Sequence, residues 1–132
     1  MVFLGTGVKR RFRLTKSKDI QRVRQLGKSY AHPLLVLIVL TNTGETIRIG
    51  IITGKAVGKA VQRNLAKRRV RAAVQNYIQM IEPGWDVLFI GRKEIADATY
   101  PEIEVSVRDL LKRSKILHDH NGTQQAPENE SR

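Results

Sequence analysis

The chain has 132 residues, 41% of them hydrophobic, no cysteine, and a formal net charge of +12. This length suits one compact domain rather than two, and the apolar fraction excludes wholesale disorder. Without cysteine there are no disulfides or thiolate metal sites, and the longest apolar run, LLVLIVL at 34 to 40, is too short to cross a bilayer.

The opening stretch, MVFLGTGVKRRFRL, has neither a sustained apolar core nor a small-residue cleavage site. It does not read as a secretory signal, so a cytoplasmic protein is expected. Residues 1 to 14 read as a basic arm. Residues 15 to 26 place Ile20, Val23 and Leu26 at helical spacing and stop at Gly27, which predicts a short helix. Residues 34 to 41 form a continuous apolar, β-branched run. Asn42, Thr43, Gly44 and Glu45 supply turn residues, and Ile47, Ile49 and Ile51 then alternate over 46 to 53. Together these predict an antiparallel hairpin. A helical pattern runs from about 57 to 80, until Pro83-Gly84 ends it. Residues 85 to 90 predict a third strand. Thr99 with Glu102 makes a capping box ahead of a last helix, which carries Ile103, Val107, Leu110 and Leu111 and reaches about residue 116. One α+β domain over 15 to 117, in the order α-β-β-α-β-α, is therefore expected, followed by a polar, disordered tail from 118 to 132.

The charge is placed unevenly. Residues 1 to 71 hold 17 Lys and Arg against only Asp19 and Glu45, whereas residues 72 to 132 hold 7 against 10 acids. So lopsided a field recruits a polyanion, and composition alone leaves nucleic acid and anionic membrane both open. The segment VQRNLAKRRVR at 61 to 71 separates them. On a helical wheel Ala66, Val70, Ala73, Tyr77 and Ile81 fall on an arc centred at roughly 160° from Val61. Arg63, Asn64, Lys67, Arg68, Arg71 and Gln75 fill the neighbouring arc. Arg63, Lys67 and Arg71 recur at i, i+4 and i+8, a like-charge arrangement that costs a few tenths of a kcal/mol per pair. A solvated helix face ordinarily mixes Glu with Lys, and this one does not. Guanidinium forks suit phosphate, and the apolar arc is needed for the core, so RNA or DNA is favoured over membrane.

Candidates for protein catalysis are few. Asp19 sits favourably in a first helical turn, Glu45 in a turn, and Glu102 and Glu104 where helix capping explains them. His32 stands alone, and His118-Asp119-His120 lies in the tail. The stretch GKAVGK at 54 to 59 lacks phosphate-loop spacing. No catalytic residue, metal ligand or small-molecule cofactor site is assigned to the protein itself.

This arrangement resembles the protein subunit of bacterial ribonuclease P. The resemblance spans about residues 9 to 117. It rests on the pattern RNxxKRxxR formed by Arg63, Asn64, Lys67, Arg68 and Arg71, with Gly50 and Gly58 upstream, Gly91-Arg92-Lys93 after the third strand, and the opening Arg13-Leu14. It implies a small α/β sandwich related to the second domain of a ribosomal protein, with a left-handed βαβ crossover, against the usual handedness. It also implies a cofactor role. The catalyst is then a large RNA that uses Mg2+, and one protein per RNA helps to remove the 5′ leader from precursor tRNA, with dimers of the holoenzyme also allowed.

By position, the resemblance turns Arg63, Asn64, Lys67, Arg68 and Arg71 toward the catalytic RNA, and adds Lys55, Lys59, Arg92 and Lys93 to that RNA-binding set. A cleft between the first helix and the sheet, marked by Arg13, Ile20, Arg24 and Ile38, would take the single-stranded leader. Ile20, Arg24 and Ile38 stand where the family often has aromatic residues, which weakens base stacking, although Arg24 can stack through its guanidinium or bind phosphate. Ile20 and Ile38 read more readily as core residues than as leader contacts, and Tyr30 as packing or as a ring near the leader. Leu65 replaces the last residue of the usual Arg-Asn-Arg triplet, off the cationic arc. The alternative function is a ribosomal or other structural RNA-binding protein that uses the same basic helix.

Overall fold

The computed structural model describes residues 13–44 and 46–118. Most of the expected N-terminal arm, Glu45 and nearly all of the expected C-terminal tail lie outside the described residues. Three helices pack on a four-stranded mixed sheet, in the order α1 (Ser17–Leu26), β1 (Lys28–Ala31), β2 (Leu35–Thr41), β3 (Arg48–Thr53), α2 (Ala60–Gln75), β4 (Trp85–Gly91) and α3 (Tyr100–Ser114). The α+β class is as expected, with one strand more.

That strand, β1, has the sequence KSYA, which shows no apolar alternation. Its pairing with β2, from Lys28 opposite Val39 to Ala31 opposite Val36, is what makes it a strand. Glycine permits the step from α1 into it. A Cβ on Gly27 would stand 2.6 Å from Ile38 Cγ2 and 2.8 Å from the Val39 carbonyl, so close approach demands Gly27, whose backbone is extended at φ −77°.

The expected hairpin does not form. The sheet order is β1-β2-β4-β3, with β4 antiparallel to β2 and parallel to β3. Val87, Leu88 and Phe89 of β4 are wholly buried, so this strand is apolar on both faces and takes a central place. The 42–44 turn still brings the chain back, but it flanks the turn entering β4. Asn42 donates its N–H to the Gly84 carbonyl at 2.8 Å, and Gly84 donates to the Thr46 carbonyl at 3.0 Å. The parallel β3-α2-β4 unit is the crossover.

The second helix is shorter than its periodicity suggests. Gly58, at φ +142°, separates a 3-10 turn at Lys55–Val57 from α2. At the other end the N–H groups of Asn76 and Tyr77 bond three residues back, and a second 3-10 turn, Ile78–Met80, follows. In α3 the Thr99 hydroxyl accepts from the Glu102 N–H while the Glu102 carboxylate accepts from the Thr99 N–H, as the capping-box reading requires.

Helices α2 and α3 cover one face of the sheet, closing the main core around Leu35, Leu37, Phe89, Val70, Ile103 and Leu110. Helix α1 lies on the other face over a smaller cluster of Leu14, Val23, Ile38 and Leu88, and leaves Val36, Leu40, Ile52 and Ile90 only half-buried. An ion-pair network anchors α1. Arg48 holds the fully buried Asp86 with two hydrogen bonds, of 2.9 and 2.7 Å, and reaches Asp19 of α1 at 3.0 Å. Asn42 donates a further bond to Asp86 at 2.8 Å.

Candidate nucleic-acid interface

The apolar stripe of α2 is Ala66, Val70, Ala73 and Val74, all buried. Packing that stripe on the sheet turns the adjacent arc outward, with Arg63, Lys67 and Arg71 half-buried and Asn64 and Arg68 exposed. None of these four cations forms an ion pair with a carboxylate among the described residues. Arg69, the remaining cation of the segment, stands apart, because its Nη1 donates to the Ala98 carbonyl at 3.1 Å and ties α2 to the chain before α3. Leu65 is half-buried.

The N-terminal approach to α2 extends the positive surface. Lys55 and Lys59 are exposed, and the Gln62 side-chain oxygen caps the helix by accepting from the Lys59 N–H at 2.8 Å. No acid occupies that first turn, so the positive end of the helix dipole stays uncompensated. Arg92 and Lys93 are exposed after β4. The 3-10 turn that begins at Lys93 packs on the Lys55–Val57 turn and on α2, so the segments that carry Lys55, Arg92 and Lys93 are neighbours.

The residues expected to mark the leader cleft divide. Ile20 and Arg24 project from α1, half-buried and exposed respectively, and Ile38 is only 5% exposed, packed under the helix. The face beside them is formed by Val36, Leu40, Ile52 and Ile90. Of these, Val36 and Leu40 share the alternation that places Ile38 on that face. Arg13 lies elsewhere. It bridges to Ile49 in parallel register, and the Leu14 N–H donates to the Ile49 carbonyl at 2.8 Å, so the chain entering the domain runs along the outer edge of β3. Neighbouring residues of an extended chain point to opposite faces. Leu14 accordingly enters the cluster under α1, and Arg13 lines a cavity of about 130 Å³ with Thr15, Gly50, Lys67 and Arg71. Burial first, and then the charge of Arg13, lower the affinity of the Arg71 guanidinium for its proton.

Of the acids considered for catalysis, three have structural partners. Asp19 binds Arg48, Glu102 caps α3, and Glu104 accepts from the Tyr77 hydroxyl. A larger hollow of about 610 Å³, between the β1-β2 turn and the start of α3, is mostly apolar and edged by Glu94, Asp97 and Glu102, with no lysine or arginine of the described residues in its wall.

Fold and surface define a small, basic α+β protein with a cationic helix face. The Ribonuclease P family model matches residues 8–115. The ribonuclease P protein component of Herpetosiphon aurantiacus is 41% identical over 107 residues, which cover 81% of this chain and 87% of that one. That of Clostridioides difficile is 39% identical over 104 residues, covering 78% and 91%. Among solved structures, the Staphylococcus aureus RNase P protein superimposes with a TM-score of 0.75 at 30% identity, covering 81% of this chain and 98% of that one. The Thermotoga maritima protein gives 0.69 at 28%, covering 76% and 96%. The chain belongs to the ribonuclease P protein family.

Proposed function

We propose that this protein is the cofactor of a ribonuclease P ribonucleoprotein, and that it binds the catalytic RNA and the 5′ leader of precursor tRNA to promote endonucleolytic removal of that leader. One observation carries the reading: α2 presents Arg63, Asn64, Lys67, Arg68 and Arg71 on one rigid face, and none of its cations has a carboxylate partner among the described residues. Such a face gives up bound counterions when it meets phosphates. The RNA is the catalyst and holds the Mg2+ of the reaction, with one protein per RNA, and the protein alone cleaves nothing.

The leader runs along the half-open sheet face beside α1, with Ile20, Val36, Leu40, Ile52 and Ile90 as an apolar floor and Arg24 at its rim. Without rings on that floor, the leader is held by backbone charge and apolar contact more than by stacking. The test is reconstitution with a ribonuclease P RNA, assayed on precursor tRNA with and without its leader. The protein should lower the Mg2+ requirement and favour the leader-bearing substrate. No effect on the RNA, together with stable co-sedimentation with ribosomal subunits, would move the protein to a structural role on other RNA.

A further inference from the structure

Three of the half-buried residues beside α1 belong to a row that crosses the sheet. Ala31 pairs with Val36, Val36 with Ile90 and Ile90 with Ile52, so the four side chains stand on one face and span about 15 Å at the usual strand spacing. The row ends at Ala31, an exposed residue of the edge strand β1. On the other face of that strand lie Lys28 and Tyr30, whose cross-strand partners Val39 and Leu37 belong to the core under α2 and α3. Tyr30 is half-buried, and two cations converge on its ring. Lys28 Nζ stands 5.6 Å from the ring centroid and the Arg113 guanidinium carbon 5.9 Å. Arg113 comes from α3, and its Nη1 donates to the Ala31 carbonyl at 2.7 Å, which fixes it where the row meets the edge. The ion pairs among the described residues include neither Lys28 nor Arg113. A basic residue in the last turn of α3 suits the helix dipole, and a lysine on an edge strand discourages pairing with another sheet. Neither effect explains why both cations meet on one ring that stays half open.

We propose that Tyr30, Lys28 and Arg113 form a second leader subsite, which takes one nucleotide after the leader has crossed the row from Ile52 to Ala31 and turned over the β1 edge. The proposal rests on the reading of the α1 face as the path of the leader, and extends that path to the other face of the sheet. A tyrosine ring or a guanidinium plane stacks on any base, while an ammonium and the remaining guanidinium N–H groups serve the phosphates on either side. The edge is passable because Ser29 and Ala31, the β1 residues on the leader face, are small and exposed. It also offers donors. The His32 N–H donates to the Leu35 carbonyl, so by antiparallel alternation Ser29 and Ala31 turn their own N–H groups away from β2, toward a crossing phosphate. The stacking that the floor lacks at Ile20 and Ile38 is thus supplied one strand further along the leader.

The experiment reconstitutes the holoenzyme with a ribonuclease P RNA and measures its affinity for precursor tRNAs whose leaders are lengthened one nucleotide at a time. With the unaltered protein, affinity should rise as the leader fills the floor and rise again at the length that reaches Tyr30. Tyr30→Ala should remove the second rise, a loss of about 5- to 100-fold, and Tyr30→Phe should keep it. Lys28→Gln and Arg113→Gln should each lower the slope of log affinity against log salt by about 0.7 units, on the longer leaders only. Lys28 is exposed and outside the core, so its variant decides the matter even if Tyr30→Ala fails to fold. In the unaltered holoenzyme, a photoreactive thiouridine at the distal leader positions should crosslink to β1 or to the end of α3. Crosslinks confined to α1 and β2 at every position overturn the subsite. An equal loss on leaderless substrate places the ring against the catalytic RNA and overturns it too. If affinity is independent of the leader at every length, the proposed function itself fails. A normal first rise with no second refutes only the subsite.

Discussion

Replacing Arg63, Lys67 and Arg71 together by Gln tests whether the cationic row of α2 contacts phosphate. Each side chain is half-buried, and none is in an ion pair with an acid among the described residues. The core stripe of Ala66, Val70, Ala73 and Val74 is untouched, and Gln keeps both the helix preference and much of the stem. Two like-charge neighbours at i, i+4 disappear, which relieves a few tenths of a kcal/mol each. The free protein should therefore unfold within about 1 kcal/mol of the original. RNA affinity should respond strongly. Each phosphate contact contributes about 0.7 to 0.9 to the salt slope, so three contacts remove roughly 2 to 3 units. Between 50 and 200 mM salt the fall in affinity should then be about 20- to 40-fold smaller than for the unaltered protein. Filter binding or fluorescence anisotropy against a ribonuclease P RNA across that range supplies the slopes, and circular dichroism confirms the helix. An unchanged affinity and slope in a folded triple variant would show that the row is only solvated surface.

Two further replacements separate packing from contact. Arg48→Ala leaves the fully buried Asp86 with Asn42 as its remaining side-chain partner, and should destabilise the protein by about 3 kcal/mol, read as a lower urea midpoint at constant slope. A cost under about 1 kcal/mol would mean that the network does not anchor α1. Ile38→Ala removes a side chain packed under α1 and should cost about 2 to 4 kcal/mol in the free protein. Unaltered stability combined with weaker binding of leader-bearing substrate would instead make Ile38 a leader contact.

Features set by neighbouring residues were legible in the sequence. The capping box at Thr99 and Glu102, the apolar stripe of α2 and the outward set of Arg63, Asn64, Lys67, Arg68 and Arg71 all follow from helical periodicity, which depends only on spacing along one element. The ends of α2 were less legible, because Gly58 at positive φ and the tightening at Asn76 and Tyr77 are choices of backbone geometry that apolar periodicity overruns. Where the leader residues belong was legible only in part, since the sequence favours the core for both Ile20 and Ile38, whereas the structure buries Ile38 under α1 and leaves Ile20 half-exposed.

By itself the sequence determined the α+β class, the lopsided positive charge and the identity of the cationic row, all of which are local properties of charge and period. Only the tertiary structure decided that β4 lies between β2 and β3, that KSYA is a strand, and that Arg13 joins Lys67 and Arg71 while Leu14 turns to the other face. These depend on pairing between residues far apart in the chain. The hydrogen bonds of a strand leave no mark on its own sequence when its side chains are exposed. The face that a flanking residue takes is set by register against a partner strand, which no spacing within its own segment encodes.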